Sequence, residues 1–273
     1  INARHGQGII HVDNSIDQIN KVKNLINPDL SICIEVETLI KFINNYYYDE
    51  YVDRSPWINQ INNYRESFKL KYDPNLLTSN YIMYILSKVL KSNDNYILTT
   101  GVGSHQMVVA QYFKHRYPNK LLTSGSLGTM GSGLGFAIGA QIANPNSTVI
   151  LIDGDGSFTM SSNDLATIKE YNLPIKIILM NDKKLKMVDM WQGIFYENRK
   201  IGSSFNYEID FNKLADCYDI KNFFCDNNDI LSNLYNMITY DGPVLFNCMI
   251  DKSICLPFVP NNTTLSNMIL DKN

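Results

Sequence analysis

Residues 151–191 read LIDGDGSFTMSSNDLATIKEYNLPIKIILMNDKKLKMVDMW, and the fold turns on this stretch. An unbroken apolar run closes on Asp153, and a glycine-flanked acid follows at Gly154-Asp155-Gly156. Residues 162–172 (SNDLATIKEYN) carry helical spacing, and a second apolar run, IKIILMN, ends at Asn181-Asp182, with 24 residues between Gly156 and Asn181. Strand, helix and strand, with both strands apolar throughout, is the pattern of a parallel sheet covered on both faces. In such sheets ligands lie outside the carboxyl ends of the strands, which is where these acids fall.

The same alternation continues upstream. Helix 79–91, strand YILTT (96–100), helix HQMVVAQYFKH (105–115), strand KLLTS (120–124), helix GSGLGFAIGAQIA (131–143) and strand STVILID (147–153) precede it, and PVLFNCMID (243–251) adds a late strand. Nearer the start, GIIHVD (8–13), a helix capped by Ser15 and LSICIEV (30–36) predict a β-α-β fragment too small to fold alone. The Asn- and Tyr-rich residues 38–72, with Pro56-Trp57 among them, predict a connector. The expected domains are therefore 1–45, the end of a Rossmann-like domain; 46–74, the connector; and 75–273, an α/β domain with a parallel sheet flanked by helices. The first residue is Ile1 and a strand follows at once, which reads as a segment of something longer.

Composition excludes several classes. The net charge of -3 and pI near 5.8, without a long Lys/Arg run, give no footprint for nucleic acid or an anionic membrane surface. No apolar run reaches the roughly 20 residues of a membrane span, and no signal peptide opens the chain. The 5 cysteines form no C-x-x-C pair, so free thiols and a reducing, intracellular compartment are expected. The 4 histidines form no transition-metal cluster.

Three glycine loops meet the strand ends: TTGVGSHQM (99–107), SGSLGTMGSGLG (124–135) and IDGDGSF (152–158). Glycines before helix N-termini let backbone amides approach an anion. Gly133-Leu134-Gly135 with Gly139 and Asp153 imitates a dinucleotide fingerprint, but the third glycine is out of place. Glycines for close helix–sheet packing and acids as helix N-caps are the plain readings. Mg²⁺ shared between Asp155, Asp182 and a bound diphosphate accounts for glycines and acids together.

Gly154-Asp155-Gly156 followed by Asn181-Asp182 resembles the thiamine-diphosphate signature G-D-G-x(about 25)-N-N. With TTGVGSHQMVVAQYF, SGSLGTMGSGLGFAIGAQIANP, KMVDMWQGIFYENR and GPVLFNCMIDKSICLPFVPN, nearly the whole chain resembles the C-terminal part of acetolactate synthase (acetohydroxyacid synthase) catalytic subunits. The resemblance implies a thiamine-diphosphate-binding domain. It places the cofactor on Val102, Gly103, Ser104, His105, Gly128, Gly154, Asp155, Gly156, Ser157, Leu185, Lys186, Met187 and Val188. It places Mg²⁺ on Asp155, Asp182 and the backbone carbonyl of Lys184. Met130 would support the folded, V-shaped cofactor, Met187 would line the same cavity, and Trp191 would favour 2-oxobutyrate as second substrate. Asp13 and Glu35 match acids at the family's FAD site. The implied reaction is decarboxylation of pyruvate and carboligation to a second 2-oxoacid, in a homodimer or tetramer whose subunits share the active site. The acid that protonates the pyrimidine belongs to a domain outside these residues, so the segment alone is expected to be inactive.

Four positions depart from the family pattern. Ser104 stands for Gln, Val108 for Trp, Asp182 for the metal-binding Asn, and Lys186 for the Gly of L-G-M-V. They keep two alternatives open: another thiamine-diphosphate decarboxylase or carboligase, and a cofactor-binding protein without catalysis.

Overall fold

In the computed structural model, the structure describes residues 8–46, 53–225, 229–251 and 255–270. Residues 47–52 of the expected connector and 252–254 of the tail motif lie outside them. Contacts divide the chain into two units, Ile1–Lys69 and Leu70–Asn273.

The first unit holds β1 (Ile10–Asp13), α1 (Ile16–Ile26), β2 (Leu30–Cys33), α2 (Val36–Tyr46) and α3 (Ser55–Ser67). β1 and β2 pair in parallel with Asp13 opposite Cys33, and the Ser15 hydroxyl accepts from the Gln18 amide to cap α1. The second strand stops at Cys33, short of the expected Val36. Val36, Leu39, Ile40 and Ile43 recur at helical spacing, and that period takes the chain into α2.

The second unit contains α4 (Ser79–Val89), β3 (Tyr96–Thr100), α5 (Ser104–Tyr112), β4 (Leu121–Leu122), α6 (Ser132–Ala143), β5 (Thr148–Gly154), α7 (Asp155–Thr159), α8 (Leu165–Glu170), β6 (Lys176–Asn181), α9 (Lys186–Phe195), α10 (Phe211–Cys217), β7 (Lys221–Cys225), α11 (Ile230–Thr239) and β8 (Val244–Met249). The strands form one six-stranded sheet in the order β4-β3-β5-β6-β8-β7, parallel at every pairing. The expected parallel sheet flanked by helices is the observed fold. Several details differ, and α10 and α11 were not anticipated. α5 ends at Tyr112 because Phe113 turns to an extended conformation and packs edge-on against Tyr96. β4 shrinks to an edge pair of residues. β7 was not anticipated: KNFFC is short, and as an edge strand bonded only to β8 it shows no long apolar run.

Alternation along the strands builds two cores. Tyr96, Leu98, Ile150, Ile152, Ile178, Met180, Val244 and Phe246 face α4, α5 and α11. Ile97, Val149, Leu151, Ile177, Leu179 and Leu245 join residues of α6, α7, α8 and α10 on the opposite face. β3 and β5 are neighbours, yet the chain leaves β3 towards β4 and leaves β5 towards β6. Their loops therefore feed helices on opposite faces and open a crevice between them, the usual ligand position in an open α/β sheet.

Glycine lets α6 close on that crevice. A Cβ on Gly133 would lie 2.5 Å from the Gly101 amide nitrogen and 2.9 Å from its Cα. Gly133→Ala is expected to lower stability by about 1–3 kcal/mol, the usual cost of overpacking, whereas Gly125→Ala, with nothing within 4 Å, should stay within about 0.5 kcal/mol in urea unfolding.

At the start of β6 the buried Lys176 ammonium donates to the carbonyls of Tyr240 and Gly242, both at 2.6 Å, just beyond the end of α11. Burial pulls its pKa down to about 8 from the ordinary 10.5. Between those values the unfolded chain holds more protons, so this lysine makes stability rise with pH from about 8 upwards. A neutral amine retains two N–H donors for the two carbonyls. Lys176→Met should flatten the pH dependence of stability between about pH 8 and 10, measured by urea unfolding.

Candidate functional site

A pocket of about 500 Å³ opens at the crevice between β3 and β5. Its walls come from the loop after β3 (Val102 to His105), from Met130, from the turn after β5 (Gly154 to Ser157) and from the segment Asp182 to Val188. Strands end together here because their registers are parallel and aligned: Thr100 pairs with Ile152 and Gly154 with Met180.

Each side chain is set by local physics. Gly131 adopts a left-handed conformation (φ 80°) and starts α6 immediately after Met130, which lines the pocket. The Gly131 amide donates to the Ser157 hydroxyl at 3.0 Å, joining two of the glycine loops. His105, on the first turn of α5, is buried, with Nε2 3.2 Å from Oδ1 of the fully buried Asp153. The same Oδ1 accepts from the Gly154 amide. The opposite edge of the imidazole lies against two glycines: a Cβ at Gly103 would come to 3.0 Å from Cε1, and one at Gly154 to 2.9 Å from Nδ1. The glycines keep a space that side chains would fill, with a histidine nitrogen beside it.

On the other wall, Asp155 opens the short helix α7 and Asp182 lies just after β6; both line the pocket. Burial and then the charge of Asp182 push the Asp155 carboxyl up to about 7, against backbone N–H groups of Gly156, Lys183 and Lys184 that favour its ionised form. Burial also raises Asp182, opposed by Lys186, whose Nζ lies 3.3 Å from Oδ2. That oxygen is buried and takes no hydrogen bond. Residues 183–185 are held by a returning segment: the Leu185 amide donates to the Ser203 carbonyl, the Phe205 amide donates to the Lys183 carbonyl, and Lys184 bridges Ser204 antiparallel. A further staple comes from Asp189 on α9, which pairs with Lys200 at 2.9 Å and Lys184 at 3.7 Å. Burial would raise the Asp189 carboxyl, but these lysines hold it below the ordinary range.

The structure thus brings Val102, Gly103, Ser104, His105, Met130, Gly154, Asp155, Gly156, Ser157, Asp182, Lys184, Leu185, Lys186, Met187 and Val188 to one pocket. Gly128, left-handed at φ 64°, stands behind Val102, where its Cβ would come to 3.8 Å from Cγ1. Trp191 is outside the lining; its ring packs against Phe195 (4.6 Å) and Phe258 of the tail (5.5 Å). Asp13 and Glu35 belong to the first unit. There Asp13 accepts from the Ser15 amide and Glu35 from the Asn14 side chain. Ser79, Met180 and Ile250 also line the pocket; no motif marks them. Asp153 is the more instructive omission, since its role towards His105 shows only when α5 lies beside β5.

The arrangement suits a diphosphate bridged to a hard divalent cation. Among the described residues no group of three or more His, Cys, Asp and Glu is placed to hold a metal. Two carboxylates and a carbonyl suit Mg²⁺, which keeps waters and shares substrate phosphates. The buried, mutually repelling Asp155 and Asp182 could supply the charge for such an ion, and the glycine-lined space beside His105 has room for an anion. Among the described residues no disulfide joins any of the 5 cysteines, and no helix among them is long and apolar enough to cross a membrane.

Comparison with known proteins agrees with this geometry. The chain is 38% identical over 277 residues to the probable acetolactate synthase large subunit of Methanococcus aeolicus, covering 96% of this chain and 46% of the relative. It is 34% identical to the mitochondrial acetolactate synthase of Schizosaccharomyces pombe (99% and 41% covered) and 33% identical to the acetolactate synthase large subunit of Lactococcus lactis (96% and 45%). The chain spans less than half the length of these relatives. The family described as thiamine pyrophosphate enzyme, C-terminal TPP binding domain, matches residues 101–248, the stretch that runs from the loop after β3 through most of β8 and carries most of the pocket. The chain therefore belongs to the thiamine pyrophosphate enzymes and contains their C-terminal TPP binding domain.

Proposed function

We propose that this chain is the C-terminal part of an acetolactate synthase, binding thiamine diphosphate with Mg²⁺ and acting on pyruvate and a second 2-oxoacid. The observation that carries the proposal is the meeting of three glycine loops with the Asp155–Asp182 pair in one pocket. Identity to acetolactate synthases over nearly the whole chain supports the substrate class.

In this reading Gly103, Ser104, His105, Gly156 and Ser157 hold the diphosphate, with Val102, Gly128, Gly154 and Leu185 shaping the cradle. Asp155, Asp182 and the Lys184 carbonyl hold the metal. Asp153 keeps His105 turned so that its second nitrogen faces the cradle. Met130, Met187 and Val188 exclude water from the ring-binding side, and Met130 supports the folded cofactor. When bound, the cofactor supplies the electron sink for decarboxylation and carboligation, and the protein supplies orientation and electrostatics. Trp191, fixed by Phe195 and Phe258, sets second-substrate preference.

Among the described residues no glutamate lines the pocket, so the acid facing the pyrimidine comes from another part of the assembly. A homodimer or tetramer supplies it. An apolar α6 that leaves Ile142 62% exposed, and Leu127 at 89%, supports such pairing. FAD in the full-length protein would use Asp13, the last residue of β1, and Glu35, two residues beyond the parallel neighbour β2. An intracellular location accords with cysteines that form no disulfide among the described residues. Binding without turnover is the second reading, favoured by the large cationic Lys186 inside the pocket.

Asp155→Ala in the full-length protein should raise the Mg²⁺ concentration that gives half-maximal thiamine diphosphate binding by at least about tenfold, the scale of losing metal-site support. An unchanged Mg²⁺ dependence of the variant in calorimetry would refute the metal assignment. The 273-residue segment alone should convert no pyruvate, since a missing transition-state group lowers the chemical rate itself; acetolactate formed above a protein-free control would show that the pocket is complete.

A further inference from the structure

Lysines reach into the acidic side of the pocket. Asp155 and Asp182 line it together with Lys184 and Lys186, and Asp189 and Lys200 stand next to them. Their pairing is uneven. Asp189 takes two of the lysines, Lys200 at 2.9 Å and Lys184 at 3.7 Å. Lys186 pairs with Asp182 at 3.3 Å, with side chains only 13% and 9% exposed. Asp155 receives backbone N–H groups and no cation, while Asp182 Oδ2 takes no hydrogen bond. The ammonium of Lys186 thus sits on one of the two carboxylates that a divalent ion would bridge.

We propose that Lys186 is a tethered counter-cation that competes with the metal for Asp182 and lets a diphosphate bind with reduced dependence on Mg²⁺. The proposal rests on the thiamine diphosphate reading of the pocket. An arriving metal must displace the ammonium from Asp182, which weakens metal affinity. The displaced ammonium stays in the pocket on a four-carbon stem, beside Lys184, and offers three donors to phosphate oxygens. When metal is absent, the same ammonium is the cation nearest the diphosphate. The i,i+4 spacing from Asp182 to Lys186, at the entry to α9, fixes this reach without a flexible loop.

Calorimetric titration of thiamine diphosphate into the full-length protein, with saturating Mg²⁺ and with EDTA, tests this in the parent, Lys186→Met and Lys186→Arg. Methionine keeps the stem and removes the charge; arginine keeps the charge. Removing metal should weaken binding to the parent by no more than about tenfold and to Lys186→Met by a further tenfold or so, the scale of a charge-assisted hydrogen bond. Lys186→Met should also reach half-maximal binding at lower Mg²⁺, and Lys186→Arg should follow the parent. Equal metal dependence in the parent and Lys186→Met overturns the proposal, as does an arginine variant that behaves like methionine. If the parent binds no thiamine diphosphate even in Mg²⁺, the functional reading of the pocket itself fails; metal-dependent binding that Lys186→Met leaves unaltered would overturn only the role of the lysine.

Discussion

Two carboxylates buried within reach of each other's charge constrain this structure more than any other feature. Leaving Asp155 and Asp182 ionised in a half-dry crevice is costly, and the cost shows as upward shifts in both groups. Such a pair persists only where something compensates. Backbone amides do part of it for Asp155 and Lys186 does part of it for Asp182; in the proposed reading a cofactor with its metal would account for the remainder. The surrounding architecture serves that pair: parallel strands that end at one level, a reversal of strand order that opens the crevice, and a returning segment at residues 203–205 that pins the chain after β6.

The glycines have a similarly plain physical logic once the layers are assembled. Gly133 admits the backbone of Gly101, while Gly103 and Gly154 leave room around the His105 ring. A dinucleotide-like spacing in residues 133–139 thus combines two unrelated situations. Gly133 is there for close packing, but Gly135 and Gly139 would meet nothing within 4 Å. Counting glycines along the chain could not separate these roles, because the separating backbone atoms belong to the loop after β3, more than thirty residues away.

Much of the fold was legible because β3, β5, β6 and β8 are apolar on both faces and are separated by helical periods. β7 escaped because an edge strand needs no such pattern, and Val36 was misassigned because β-branched residues also occur on helices when the spacing demands it. The resemblance named the residues around Asp155 and Asp182, and folding gathered most of them. Asp153 and the Lys186 pairing were illegible for different reasons. The first acts across two strands and a helix; the second is local, but whether a lysine four residues on meets an aspartate or solvent depends on where the chain enters α9.

The aromatic contact between α9 and the tail gives the protein an internal optical gauge. The chain has 2 tryptophans, and Trp57, in the first unit, is 60% exposed. Trp191 is instead wedged between Phe195 and Phe258 on the helix whose first turn carries Lys186, Met187 and Val188. Its emission belongs to the blue side of the tryptophan range and is separable from that of the exposed indole. Any movement of this helix or release of the tail would shift that component first, so the state of the pocket can be followed by light alone, without a label.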